Sequence, residues 1–88
     1  MDLFGAITLN NEEKVLEYLP KTDLHWINIT LLHLLNYPSD TSYAMMSYIL
    51  NYLQNTMKHK LKIWLLESGL THDALQTNNP EIISLFTR

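Results

Sequence analysis

The chain has 88 residues, 47% of them hydrophobic, with only 2 Gly and 3 Pro. This excludes a disordered tail and predicts one small packed body over residues 1–88 that buries about 60 to 65% of its unfolded surface. With no cysteine there is no disulfide framework and no thiolate metal site, which fits a reducing, cytoplasmic compartment. A net charge of −3 argues against general phosphate binding, and no apolar run approaches the ~18 residues of a membrane-spanning helix or follows a basic leader.

The predicted elements are all helical. Leu3, Phe4, Ala6 and Ile7 have the i, i+1, i+3, i+4 spacing of a short helix over residues 2–9. Asn10 or Asn11 ends it, and Asn10 with Glu13 has the spacing of a capping box for a second helix over 12–19, stopped by Pro20. Residues 21–29 read as a connector, because Leu24, Trp26 and Asn28 alternate with His25, Ile27 and Ile29. Thr30 is then the expected N-cap of a third helix ending before Pro38. Ser39, Asp40 or Thr41 opens the longest helix, to about Leu53, with Met45, Met46, Ile49, Leu50, Tyr52 and Leu53 at helical spacing and a loop over 55–58 behind it. Leu61, Trp64 and Leu65 predict a helix over 59–68 closed by Gly69, Thr71 caps another short one, and Asn79-Pro80-Glu81 opens the last.

A faint repeat runs through these elements. Val15, Ile49 and Ile83 lie 34 residues apart, Leu16-Glu17-Tyr18-Leu19 returns as Leu50-Asn51-Tyr52-Leu53, and Asn10-Asn11 returns as Asn78-Asn79 after two periods. Self-similarity at this interval is the mark of stacked helical pairs. Thr30-Leu31-Leu32-His33-Leu34-Leu35 resembles the signature of an ankyrin-repeat inner helix, with Leu31 at the signature proline; Leu3-Phe4 through Ile7 and Ala74-Leu75 look like the same helix in degenerate form. The segments around Val15 and Ile83 resemble the family's outer helices. The resemblance implies about two and a half ankyrin-like repeats stacked as a solenoid, a structural role for His33, and a protein-binding function. The alternative fold is an irregular small helical bundle. If Trp64-Leu65-Leu66 is in register with Thr30-Leu31-Leu32, the last two helices are an addition.

Catalytic chemistry finds no foothold. The four histidines have no i, i+4 partner and no His-Glu-x-x-His context, the acids are scattered, and no nucleophile elbow or phosphate-cradling glycine loop occurs. No catalytic residue, metal ligand or cofactor is therefore expected. Lys58, Lys60 and Lys62 beside His59 read as a solvated face, with docking to an acidic protein or phosphate group as the functional alternative.

The expected function is a non-enzymatic protein-interaction module. Its partner would lie on the connector edge formed by Asp23, His25, Trp26 and Asn28 with Tyr37, Asp40 and Tyr43, since exposed Trp and Tyr serve as binding anchors. A narrower alternative is a small acidic inhibitor, such as an immunity protein or antitoxin, that neutralises a basic enzyme; an accessory viral or bacterial protein that occupies a host protein fits the resemblance equally. Nucleic acid and membrane are not expected partners. A homodimer through terminal faces around Leu3, Phe4, Ile83, Leu85 and Phe86 is a further expectation, because short arrays leave apolar ends.

Overall fold

A computed structural model describes residues 2–37 and 41–87. Among them the regular structure is entirely helical: α1 (Leu3–Thr8), α2 (Glu12–Tyr18), a 3-10 turn (Leu19–Lys21), α3 (Leu24–Asn36), α4 (Ser42–Met57), α5 (Lys60–Glu67), α6 (Leu70–Gln76) and α7 (Pro80–Phe86). None is long and apolar enough to cross a membrane.

Local chemistry explains the starts and stops. Asp2 caps α1 by accepting from the Gly5 N–H at 2.8 Å. Asn10 takes the left-handed conformation at φ 54°, and Asn11, one residue beyond the expected cap, accepts from the Lys14 N–H at 3.2 Å to open α2. Asn78 and Asn79 repeat the device: Asn78 sits at φ 56°, and Asn79 accepts from the Glu81 and Ile82 N–H groups. Gly69, at φ 82°, supplies the left-handed turn between α5 and α6. Because α6 begins at Leu70 immediately after it, Thr71 lies inside that helix and is not its cap.

Two expected boundaries are corrected. The predicted connector over 21–29 is largely helix, since α3 begins at Leu24 under the cap of Asp23, whose Oδ1 accepts from the Trp26 N–H at 2.9 Å. Thr30 is thus in the second turn of α3, where its hydroxyl donates to the Trp26 carbonyl at 2.8 Å. The buried residues Ile27, Leu31, Leu34 and Leu35 carry the helical period that the apparent alternation obscured. The predicted loop over 55–58 is also mostly helix, because α4 runs to Met57 and the Thr56 hydroxyl turns back to the Tyr52 and Leu53 carbonyls. Lys58 ends α4 at φ 54° and ψ −127°. Ser39 and Asp40, two of the three expected openers of α4, lie outside the described residues, and Thr41 occupies its N-cap position.

One contiguous hydrophobic core joins all seven α-helices. α4 is central to it, with Met45, Met46, Ile49, Leu50 and Leu53 almost wholly buried, each worth about 1.5–3 kcal/mol relative to exposure. α1 packs on α2, α3 on α4 and α6, α4 on α5 and α7, and α6 on both α5 and α7. Phe4 and His33 bring α1 against α3, while Glu12 on α2 hydrogen-bonds Tyr48 on α4 and raises the phenol pKa. The repeat-spaced Val15 and Ile49 are fully buried, and Ile83 is half-buried.

Candidate functional site

α1 and α3 meet along a face that leaves aromatic side chains in solvent. Leu3, Ala6 and Ile7 supply the buried side of α1, so Phe4 projects beyond the core and stays 42% exposed. On α3 the same happens to Trp26, 58% exposed, and at its C-cap to Tyr37, 71% exposed. The His33 ring stands edge-on to Phe4, with centroids 4.8 Å apart, and lies tilted against Tyr37 at 5.0 Å. The rings of Phe4, His33 and Tyr37 thus form a continuous strip, with Trp26 two turns earlier on α3.

Phe4 is also the ridge between two concavities. The larger, about 300 Å³, lies between the start of α1, the 3-10 turn and the first turns of α3, with Phe4 and Trp26 as aromatic walls and Asp2 and Asp23 among its lining. The smaller, about 140 Å³, is lined by Phe4, His33 and Tyr37 with Ile7, Thr8, Leu34, Thr41 and Ser42. Both aspartates are fixed by their capping hydrogen bonds, so the larger cleft has a rigid acidic component. Lys21 lines the same cleft, but its ammonium lies 3.9 Å from the Glu17 carboxylate and 5.8 Å from the Tyr18 ring centroid, which directs its charge toward α2.

The structure redistributes the predicted edge. Asp23 and Trp26 share the larger cleft, and Tyr37 lines the smaller one about 16 Å further along α3. His25 is exposed and packs edge-on to the Trp26 ring at 5.8 Å without lining either cleft. Asn28 is half-buried, and Tyr43 is exposed on α4 outside both clefts. Helical geometry is the reason: successive residues of α3 are turned by about 100°, so an edge drawn for an extended connector is scattered around a cylinder. Asp40 lies outside the described residues.

Sequence reasoning missed Phe4 and His33 as members of one surface. A signal existed for Phe4, because three apolar residues already complete the buried stripe of a two-turn helix and the fourth is surplus. His33, to which the family resemblance gave a structural role, contributes its ring to the exposed strip. Of the terminal residues considered for a dimer face, Leu3, Leu85 and Phe86 are buried within the chain's own core, leaving Phe4 exposed and Ile83 half-exposed.

Among the described residues no group of three or more His, Asp or Glu side chains is placed to hold a metal ion. No protein-family model matches the chain, and comparison with curated proteins and with solved structures finds no significant match.

Proposed function

We propose that this protein is a non-enzymatic protein-interaction module whose partner covers the α1/α3 face, inserting side chains into the clefts on either side of Phe4. The observation that carries the reading is the exposed strip of Phe4, Trp26, His33 and Tyr37 on helices anchored in one core. Aromatic side chains beside pockets are the usual anchors of protein interfaces, and helix-borne anchors lose little entropy on binding. The helical pairs stack as a short ankyrin-like solenoid in this reading. Its support is the pairing of α1 with α2, α3 with α4 and α6 with α7, the lateral contacts of α3 with α6 and α4 with α7, and the matched Asn-Asn turns, with α5 lying between α4 and α6 outside these pairs.

Affinity capture with the intact protein, Trp26→Ala, Phe4→Ala and the control Leu66→Ala tests the placement. Leu66 is as exposed as Trp26 and more so than Phe4, but lies on α5. The expected outcome is a specific protein retained by the intact chain and the control and lost by the two aromatic variants, each weakening affinity by about 2 kcal/mol or more. Equal retention by all four would reject the α1/α3 face.

Asp2 and Asp23 at the larger cleft favour a narrower version, in which the partner is a basic enzyme and this protein its acidic inhibitor. Carboxylates at the contact steer a basic partner, so the association rate should fall as salt is raised. A rate independent of salt, or a captured enzyme whose activity is unchanged in the complex, would remove the inhibitor version while leaving the binding module standing.

A further inference from the structure

The larger cleft beside Phe4 presents a selective surface, and its occupant follows from which of its groups remain in solvent. Leu3 and Thr30 in its lining are buried in the chain's own core and give an incoming group almost no surface. What remains accessible is the two aromatic walls, Phe4 and Trp26, and the exposed residues Asp2 and Asp23. At about 300 Å³ the cleft stands at the small end of the roughly 300–1,000 Å³ of whole-ligand pockets, so it suits one large side chain.

Donors and acceptors are unequal around it. The Thr22 hydroxyl donates to the Tyr18 carbonyl at 2.7 Å and the Thr30 hydroxyl to the Trp26 carbonyl at 2.8 Å, so both protons are committed within the chain. Lys21 faces Glu17 on α2. Each aspartate caps its helix through Oδ1, which leaves Oδ2 to accept from a ligand. The cleft thus offers an occupant negative acceptors and aromatic rings, while its hydroxyl donors are already used.

We propose that this cleft takes the guanidinium of an arginine side chain from the partner protein, held against the Phe4 and Trp26 rings and hydrogen-bonded to the Asp2 and Asp23 carboxylates. The assignment rests on the binding-module reading and names the group that enters the cleft. A guanidinium carries five donors, no acceptor and a permanent positive charge, the complement of this lining. Its flat, weakly hydrated face stacks on aromatic rings at less cost in lost hydration than a lysine ammonium. An anion would meet both carboxylates and the negative faces of the rings, and a neutral apolar side chain would strip water from the carboxylates without replacing their hydrogen bonds.

The test uses the full chain and three probes, the N-acetyl amides of arginine, lysine and citrulline, followed by amide and indole chemical shifts; citrulline has the shape of arginine without its charge. The arginine probe is expected to give saturable shifts centred on Phe4, Asp23 and Trp26 and to bind about tenfold more tightly than the citrulline probe, with lysine between them. Asp2→Asn combined with Asp23→Asn removes both charges but keeps side chains that cap helices equally well. The double variant should therefore melt close to the parent and lose about tenfold in arginine affinity. Citrulline or lysine binding as tightly as arginine, unchanged arginine affinity in the double variant, or arginine shifts that are unsaturable or scattered over the chain would each overturn the assignment. A partner protein lost by Trp26→Ala but retained at full affinity by the double asparagine variant would overturn it too, while leaving the binding module standing.

Discussion

The turn between α1 and α2 and the turn between α6 and α7 are built alike, whereas the junction between α4 and α5 reaches the same sign of φ by different means. At the first two, an asparagine occupies the left-handed position and the next asparagine caps the following helix. At the third, Lys58 takes a strained conformation, and the next residue, His59, makes no side-chain cap. Where the chain needs only a tight turn it uses the residue that bears one cheaply, so the repeated Asn-Asn pair marks repeated local geometry. At the third junction a costlier residue stands at the turn, and it lines a concavity.

The largest effect tests whether the repeat-spaced residues are equivalent in the core as well as in sequence. Ile49→Ala, at a fully buried site in α4, should cost about 2–5 kcal/mol in chemical denaturation. Ile83→Ala, half-buried in α7, should cost clearly less, and equal losses would mean that α7 is as central as α4.

Next come the caps. Asn11→Ala and Asn79→Ala should each lower stability by about 1 kcal/mol, and by similar amounts if the two turns are equivalent. A loss at one with none at the other would break the likeness between the two helix pairs. The third comparison has the opposite sign. Lys58→Gly should raise stability by about 1 kcal/mol, while Asn78→Gly should change it by only a few tenths, because asparagine already relieves most of the strain. A destabilised Lys58→Gly would show that the lysine side chain contributes packing that outweighs its backbone.

The smallest effect concerns the tie between α2 and α4. The Glu12 hydrogen bond raises the Tyr48 pKa in the folded protein, so the stabilisation is present below the phenol's ordinary range near 10 and is lost as pH rises through the folded value. Tyr48→Phe should flatten that alkaline loss in a stability-versus-pH series; an identical slope would remove the contact from the account.

Much of this architecture was readable from local patterns. The positions of α1, α2, α5 and α7 follow from apolar spacing, from Asn79-Pro80-Glu81 and from Gly69, because caps and helix periods are satisfied within a few residues. The start of α3 is obscured although Asp23 carries its cap, since Leu24, Trp26 and Asn28 mimic strand alternation over a window too short to separate the two periods. The end of α4 lies beyond the expected one: Asn55 and Thr56 look like loop residues, yet neither blocks a helix whose apolar face is held by the core.

The amino-acid sequence by itself determined the helical class and the repeated Asn-Asn turns, which depend on contacts between near neighbours. Only the tertiary structure decided which apolar residues are left uncovered. Phe4 meets His33 where the α1 and α3 side chains touch, and Leu85 and Phe86 come beside Leu61 and Leu65 because α7 packs on α4. Those juxtapositions join residues far apart in the chain, and their exposure depends on how neighbouring helices share the core, which no short window of sequence specifies.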